Sequence, residues 1–469
     1  MTVTVVQRHG GANGISFMPE RLPPLGGDSE YLEGITHEGL RGVLQQVLER
    51  DGAEREFMSA VHEIIFRVPW LDDRGQLQVN RGFRVQFSSA IGPYKGGLRF
   101  RDGVNLSIIK FLGFEQCFKN ALTTLPMGGG KASRSRRAGG SDFEPKGRSD
   151  AEIMKFCQSF MSELYHHIGH YTDVPAGDIG VGAKEIGYLF GQYKRLTRCH
   201  TGTLTGKGLE WGGSLMRPEA TGFGAVYFAG ELLADVGDSL KGKRCIVSGS
   251  GNVAQHCAMK LLEEGAVVLA MSDSRGYVYQ EEGLTRDQIM EIKGRRSGRL
   301  EEYTSPTAQY VGDKGRRVWQ LAIPVDMAFP CATQHELDRD DAVALAEHGC
   351  KYVFEGANMP CTPAATKVFQ DRGIMYGPGK AVNAGGVAVS GLEMSQDRIG
   401  LQWSREEPDP ALHEWLPVVQ VDAKLRGIMR SIYQTAKAAA KEYDVSLAAG
   451  ANIAGFLKVA EAQLAQGAV

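Results

Sequence analysis

Hydrophobic and polar positions divide the chain into segments of helical and of strand periodicity. Near the N-terminus, apolar residues at helical spacing predict a peripheral helix; they are Leu40, Val43, Leu44, Val47 and Leu48. From residue 67 to residue 89 apolar and polar residues alternate, most clearly at 76–80 and 83–87, which predicts strands of a half-exposed sheet. A helix is predicted from about residue 105 to residue 122.

A second sheet is predicted farther along the chain. Between residues 243 and 361, short β-branched runs alternate with helical patterns; the runs are 245–247, 267–269 and 352–354. This alternation is typical of a parallel sheet with crossover helices. After Gly386 the pattern is helical again, and it ends with residues 453–464.

Composition narrows the class of protein. A chain of 469 residues favours two or three domains. With 42% hydrophobic residues, 23% charged residues and a formal net charge of -2, nothing indicates a nucleic-acid or membrane partner. Eight cysteines without a Cys-x-x-Cys pair predict reduced, mostly buried thiols and no metal site. Because no apolar run reaches ~18 residues, we expect a cytoplasmic protein, with an organellar transit segment as the alternative.

A glycine-rich turn between a predicted strand and a predicted helix indicates a dinucleotide site. Gly249 permits the tight turn, Gly251 lets the backbone approach a pyrophosphate, and Ala254 permits close packing of helix on sheet. Asn252 and Val253 open the helix, whose N-terminus would face the anion. A methyltransferase loop or a purely structural turn is the alternative interpretation.

The residues after the second strand bear on the choice between NAD and NADP. Asp273 ends that strand, where a carboxylate accepts a hydrogen bond from the ribose in NAD sites. Ser274 follows it, and cations suited to a 2′-phosphate lie on the next helical segment; they are Lys293, Arg295, Arg296 and Arg299. A solvated helix face is the alternative explanation of these cations, so the residues alone leave both cofactors open.

Three lysines lie in surroundings that suit a substrate site. Glycines flank Lys95 and precede Lys131, whereas Lys119 lies on the helix predicted to end at residue 122. A dicarboxylate substrate requires two cationic anchors, and like charge would lower the pKa of a third lysine, making a neutral amine available as a base. Gln116 shares one helical face with Lys119. Solvated surface lysines are the alternative.

Asp178 is the candidate proton carrier. It lies in a predicted loop at residues 172–180, before a predicted helix that begins at about residue 184. A helix cap or turn cap explains a lone aspartate there. Beside the lysines, the same carboxylate would suit general acid and base chemistry.

Seven motifs between residue 79 and the C-terminus carry a family resemblance; they are residues 87–97, 114–121, 175–180, 217–222, 330–334, 383–387 and 450–456. On these motifs the chain resembles the hexameric, small-subunit glutamate dehydrogenases, especially their NADP-dependent branch. The resemblance implies an α/β, two-domain amino-acid dehydrogenase fold with a substrate domain and a Rossmann-like dinucleotide-binding domain. We place the substrate-binding and oligomerisation domain at 1–209, the Rossmann-like domain at 210–380, and a C-terminal helical segment that returns to the first domain at 381–469.

The resemblance also implies an activity: reversible oxidative deamination of L-glutamate to 2-oxoglutarate and ammonia by a homohexamer, with NADP as cofactor and NAD as the alternative. By motif, the substrate-binding residues are Lys95, Ser390 and Val387 at the side chain, and Gln116, Lys119 and Gly177 at the α-carboxylate. Lys131 would assist attack of water on the imino acid, and Asp178 would move protons to and from the amino nitrogen. The residues that match cofactor contacts are Thr221, Asn252, Asn358 and Asn383.

Three blocks depart from the family pattern. Residues 132–138 are inserted directly after Lys131. The sequence before residue 67 is shorter than in the family, and residues 408–420 are an additional stretch predicted as a peripheral loop. Lengthening a surface loop costs only ~0.6 kcal/mol per doubling, but misplacing a catalytic group by ~1 Å costs ~100-fold in rate. A catalytically impaired subunit that binds nucleotide or assembles with intact relatives is therefore the alternative function.

Overall fold

The computed structural model describes most of the chain: residues 4–5, 62–101, 106–133, 143–294, 300–303, 305–312, 317–401 and 417–467. The helix predicted around residues 40–48 and the arginines at 295, 296 and 299 lie outside the described residues.

The described residues form two sheets and their covering helices. The strands are β1 (Thr4–Val5), β2 (His62–Leu71), β3 (Leu77–Ser88), β4 (Tyr94–Leu98), β5 (Gly129–Ser133), β6 (Asp173–Gly177), β7 (Arg244–Val247), β8 (Val267–Ser272), β9 (Gly276–Tyr279), β10 (Gln309–Gly312), β11 (Met327–Phe329), β12 (Tyr352–Phe354) and β13 (Met375–Gly377). The helices are α1 (Leu106–Leu122), α2 (Asp150–Leu164), α3 (Ala183–Thr197), α4 (Ala220–Asp235), α5 (Asn252–Glu263), α6 (Arg286–Gly294), α7 (Arg339–Glu347), α8 (Pro363–Asp371), α9 (Gly379–Val382), α10 (Gly385–Ile399), α11 (Pro417–Glu442) and α12 (Leu447–Gln466). Short 3-10 helices lie at Tyr165–His167, Leu209–Trp211, Leu300–Glu302 and Val318–Gln320.

Side-chain caps fix where several helices begin. Ser149 accepts a hydrogen bond from the N–H of Glu152 at 3.1 Å and caps α2. Thr362 accepts from the N–H of Ala365 at 3.2 Å, and Pro363 occupies the first position of α8. Such contacts satisfy N–H groups that have no acceptor within the helix.

The first sheet has the strand order β1-β2-β3-β5-β4-β6. Its strands are antiparallel from β1 through β5, whereas β5, β4 and β6 run parallel. A core of aromatic rings packs it against α2 and α3; the core includes Trp70, Phe100, Phe143, Phe156 and Phe160. The helix predicted at 105–122 is confirmed as α1, and the two alternating runs belong to the single strand β3 from residue 77 onward.

The predicted loop at residues 172–180 is wrong in part: residues 173–177 form strand β6, whereas Asp178 directly follows that strand and precedes α3 as expected. Lys95 lies on β4 and Lys131 lies on β5. Glycine and proline disfavour strands, and β6 contains Pro175. Because β6 is the last strand of its sheet, its proline faces an edge that needs no backbone donor.

The second sheet has the strand order β10-β9-β8-β7-β11-β12-β13, and it confirms the predicted parallel arrangement. β8, β7, β11, β12 and β13 are parallel, with antiparallel β9 and β10 at one edge. One face packs on a core with α4, α5, α10 and α11, and the other packs on α7 and α8. In this sheet β7 lies between β8 and β11, so the chain connections from neighbouring strands run in opposite directions at this point. Such a reversal creates a crevice at the carboxyl ends of the strands.

The last helix packs against the first sheet's helix α1. The rings of Phe118 and Phe456 lie 6.3 Å apart edge to face, and Lys458 Nζ donates to the carbonyl of Ala121 at 3.2 Å. A Cβ on Gly455 would lie only 2.8 Å from Phe118, so a glycine permits this approach. These contacts attach the C-terminal helix to α1, which covers the first sheet.

The preceding helix corrects one prediction. Residues 417–420 were assigned to a peripheral loop, but they form the first turn of α11. Residues 402–416 lie outside the described residues. Within the described chain, no single helix is long and apolar enough to cross a membrane; α11 and α12 pass that test only as a pair bent by 100°.

The cysteines are free thiols, and seven of the eight are buried, which confirms the prediction of mostly buried thiols. Burial raises the pKa of Cys117 and of Cys350 to about 12, so these thiols are poor nucleophiles. Across the described ranges, no group of three or more His, Cys, Asp or Glu side chains is placed to hold a metal ion.

Candidate active site

A cleft of about 940 Å³ lies between the two sheets. Most of the residues singled out in the sequence line it: Lys95, Gln116, Lys119, Gly177, Asp178, Thr221, Gly251, Asn252, Val253, Asn358, Asn383, Val387 and Ser390. Gly249, Asp273 and Ser274 lie at strand ends outside its lining. The side chains of Lys131 and Lys293 lie outside the described part of the chain.

At one end of the cleft two cations and a hydroxyl converge. Lys95 is only 1% exposed, and Arg217 donates from Nε to Ser390 Oγ at 2.8 Å. Burial lowers the pKa of Lys95 well below its usual value; the charge of Arg217 lowers it further, while that of Glu393 opposes the shift. A ligand carboxylate placed here would stabilise the charged lysine, so this end suits an anionic group.

A fully buried ion pair supports the strand that carries Lys95. Arg84 on β3 donates from Nε to Asp173 Oδ2 at 2.8 Å and from Nη2 to the other carboxylate oxygen. Gln86 donates to the same Oδ2 at 2.9 Å. Asp173 begins β6, which pairs with β4. Because the pair is neutral, it fixes β4 without adding net charge to the cleft.

A chain of hydrogen bonds joins the predicted substrate residues to the predicted cofactor residues. Lys119 on α1 donates from Nζ to Asn383 Oδ1. Asn383 in turn donates from Nδ2 to Asn358 Oδ1 at 2.9 Å and to a backbone carbonyl at 2.9 Å. Gln116, one turn before Lys119, lines the same cleft. Contacts from the two sheets therefore meet at Asn383.

Asp178 lies on the cleft wall with a fixed orientation. Its Oδ2 accepts a hydrogen bond from Arg99 Nε at 3.0 Å, in a pair whose side chains are mostly buried. Gly97 faces it, because a Cβ at Gly97 would lie 2.7 Å from the Asp178 Cβ. The glycine leaves room for the carboxylate, and Arg99 positions it.

Strand β5 places the backbone of Lys131 between β3 and β4. Lys131 pairs with Val85 on β3. On the other side, a Cβ on Gly96 of β4 would lie 1.6 Å from the carbonyl oxygen of Gly130, so only glycine permits this spacing. Pairing continues through Ser133, which means that the inserted block begins as strand. The rest of that block lies beyond the described residues.

The glycine turn after β7 fits the pyrophosphate of a dinucleotide. Gly249 has φ +92°, and a Cβ there would lie 3.2 Å from Ala254 and 3.3 Å from Ala332. A Cβ on Gly251 would meet nothing within 4 Å. Asn252 begins α5 and donates from Nδ2 to the carbonyl of Pro218 at 2.5 Å, tying this helix to the start of α4. The first N–H groups of α5 have no intrahelical acceptors and line the cleft.

The carboxylate of Asp273 forms a turn at the end of β8. Oδ1 accepts from two backbone N–H groups of the following turn at 2.8 and 3.1 Å, and Oδ2 accepts from the N–H of Leu300 at 2.8 Å. Ser274 is exposed beside it, and Lys293 lies on α6. Asp273 therefore has a structural role in addition to its candidate role toward a ribose.

The loop after β11 faces the glycine turn and is held by a glutamate. Glu336 Oε1 accepts from the N–H groups of Ala332 and Thr333 at 2.9 and 3.2 Å. Burial raises the pKa of Glu336 to about 7 although these hydrogen bonds oppose the shift. Cys331 donates its N–H to Ser248 Oγ at 2.9 Å, which joins the loop to β7.

Sequence reasoning missed the partners of the site residues. It placed Arg217 inside a motif without a role, and it did not single out Arg99 or Glu336. A lone charged residue carries no pattern of its own. The contacts of Arg99 and Arg217 join residues 79 and 173 positions apart, so only the fold reveals them.

A glycine turn at the switch point of a parallel sheet, facing a cleft with buried cations, defines a dinucleotide-dependent α/β enzyme. The family model for Glutamate/Leucine/Phenylalanine/Valine dehydrogenase matches residues 212–467, and the model for the Glu/Leu/Phe/Val dehydrogenase dimerisation domain matches residues 61–195. The chain belongs to this family.

Individual relatives agree in sequence and in structure. An NADP-specific glutamate dehydrogenase of Chlorella sorokiniana is 57% identical over 475 residues, covering 94% of this chain and 87% of the relative. That of Escherichia coli is 49% identical over 464 residues, covering 92% and 99%. The solved structure of Plasmodium falciparum glutamate dehydrogenase 2 is 51% identical, has a TM-score of 0.79 and covers 94% of both chains.

Proposed function

We propose that the protein catalyses the reversible oxidative deamination of L-glutamate to 2-oxoglutarate and ammonia with NADP(H). The observation that carries this proposal is the buried Lys95, with Arg217 and Ser390, at one end of a cleft whose other wall is a dinucleotide turn. An apolar substrate side chain would leave this buried cation without a counter-charge, which favours a dicarboxylate over leucine, phenylalanine or valine. Relatives named NADP-specific glutamate dehydrogenase support both the substrate and the cofactor.

Each site residue has a distinct role in this proposal. The substrate side-chain carboxylate binds Lys95 and Ser390, with Val387 shaping the pocket, and the α-carboxylate binds Gln116, Lys119 and the backbone of Gly177. Lys131 assists the attack of water on the imino acid. Asp178, oriented by Arg99, carries protons to and from the amino nitrogen. NADP(H), when bound, would supply the hydride chemistry at the α-carbon in both directions of the reaction.

The dinucleotide would bind along the crevice of the second sheet. Around the pyrophosphate and nicotinamide we place Thr221, Gly249, Gly251, Asn252, Val253, Asn358 and Asn383. At the adenosine ribose and its 2′-phosphate we place Asp273, Ser274 and Lys293. The homohexamer and the cytoplasmic location stay predictions; the match of residues 61–195 to a dimerisation domain supports assembly.

Initial rates of NADPH and of NADH oxidation with 2-oxoglutarate and ammonium test the function. We expect the intact chain to oxidise NADPH at least about tenfold faster than NADH, the effect of ~1.4 kcal/mol of discrimination. A variant without residues 132–138 serves as the comparison, because it restores the family spacing after Lys131. Turnover only after this deletion would make the intact chain the impaired subunit, and turnover by neither form would contradict the proposal.

A further inference from the structure

A buried carboxylate lies one helical turn from Ser390 on α10. Glu393 Oε2 accepts from the N–H of Gly206 at 2.8 Å, and Oε1 accepts from Lys207 Nζ at 2.8 Å and from its N–H at 3.3 Å. Lys207 Nζ also contacts Asp397 Oδ2 at 2.7 Å. The side chains of Glu393 and Lys207 are 0% and 1% exposed, so this network has almost no access to water.

The charge of Glu393 acts on the two cations at the end of the cleft, Lys95 and Arg217. Among the charges around Lys95, Glu393 and Asp173 raise its pKa, whereas Arg217 and Arg84 lower it. Burial lowers the pKa of Arg217, and Glu393 is again the leading charge that opposes this shift. Because residues three apart are neighbours on a helix surface, Glu393 projects from α10 one turn after Ser390, beside the cleft that Ser390 lines.

Counting charges shows why one further carboxylate belongs here. The pair of Arg84 and Asp173 is neutral. The pair of Arg99 and Asp178 is neutral as well. Of the other described charges named at this end of the cleft, Lys95, Arg217 and Lys207 are cations, against the two carboxylates Glu393 and Asp397. An unbalanced buried charge is costly, and the side-chain carboxylate of a bound substrate supplies the missing negative charge.

We propose that Glu393 is a positioning residue for dicarboxylate binding: without touching the substrate, it keeps Lys95, beside the permanently charged Arg217, in the cationic form that binds the side-chain carboxylate. The inference rests on the proposed function, since it takes Lys95 as the anchor of that carboxylate. Glu393 acts through its charge, and Lys207 limits that effect by neutralising part of the charge.

Charge-changing variants with opposite expected effects test this role. Binding of 2-oxoglutarate to the full chain is measured by calorimetry as a function of pH. Glu393→Gln keeps the shape and a hydrogen-bond acceptor but removes the charge, so loss of affinity at alkaline pH should begin about one pH unit lower, weakening binding there about tenfold. Lys207→Gln leaves the carboxylate uncompensated, so the same loss should begin at higher pH. Glu393→Asp retains the charge and should keep the wild-type onset.

A purely structural role predicts a different result. If the three variants weaken binding equally at every pH, with no shift of the onset, the proposal is wrong. If Glu393→Gln does not fold, the upward shift in Lys207→Gln decides the question, and its absence overturns the proposal. Shifts of opposite sign in a chain that binds 2-oxoglutarate but does not turn over NADPH would support the role of Glu393 and refute the proposed reaction. Failure of the intact chain to bind 2-oxoglutarate overturns both.

Discussion

Replacing Gly96 by alanine tests whether the close approach of β4 and β5 positions the two strands that carry Lys95 and Lys131. The new Cβ would lie 1.6 Å from the carbonyl oxygen of Gly130, whereas real Cβ atoms stay beyond 3.0 Å, so the strands must separate by about 1.4 Å. Because ~1 Å of misplacement costs ~100-fold in rate, we expect kcat/KM for 2-oxoglutarate to fall at least ~100-fold. The strain should also destabilise the protein by ~1–3 kcal/mol.

The matched control is Gly191→Ala on α3. Its Cβ would meet nothing within 4 Å, so alanine should leave kcat/KM unchanged and stabilise the helix by ~0.5–1 kcal/mol. Steady-state rates with NADPH and ammonium and urea unfolding at the same pH measure both quantities. A Gly96→Ala protein with wild-type kcat/KM would refute the argument that strand spacing sets the catalytic geometry.

Two further substitutions address the cleft and the loop facing the dinucleotide turn. Arg217→Lys loses the Nε hydrogen bond to Ser390. Because a bond involving a charged group contributes ~1.5–3 kcal/mol, KM for 2-oxoglutarate should rise ~10- to 100-fold while KM for NADPH stays constant. Steady-state kinetics that show equal changes in both KM values would contradict this role. For Glu336, burial raises the pKa to about 7 from 4.5, so the native state holds more protons than the unfolded state in this window and stability falls as pH rises through it. In urea unfolding between about pH 5 and 8, Glu336→Gln should reduce this pH-dependent loss of the free energy of unfolding by up to ~3 kcal/mol. If the free energy of unfolding depends on pH as steeply in the variant as in the wild type, Glu336 does not cause the loss.

Local sequence patterns predicted the parts of the fold that depend on local structure. Helix α1 and the strand, turn and helix around Gly249 follow from periodicity and from the need for glycine at a tight turn. Strands β4 and β6 were missed, because glycines and Pro175 normally argue against strands. Only the pairing of β4 between β5 and β6 explains them: at Gly96 a neighbouring backbone occupies the space of a side chain.

The partners of the site residues could not be predicted for a related reason. A cation such as Arg99 or Arg217 acquires its role from a carboxylate or hydroxyl that folding brings near it, and nothing in the local sequence marks that partner. Resemblance supplies the positions that would touch a substrate, but it gives no information on the charges that surround them. Those charges decide whether a buried lysine is protonated, and therefore whether it can bind a carboxylate at a given pH.

Helix α10 links the proposed substrate pocket to the proposed cofactor contacts. Val387, Ser390 and Glu393 recur three residues apart, so successive turns of a single helix carry the proposed pocket wall, the proposed substrate hydroxyl and the buried carboxylate. Asn383, which contacts Lys119 and Asn358, lies just before the helix begins. A rotation of α10 would therefore move the side-chain pocket and the cofactor contacts together. The network of Lys207 with Glu393 and Asp397 opposes such a rotation, because it ties the later turns of the helix to the segment that leads into α4.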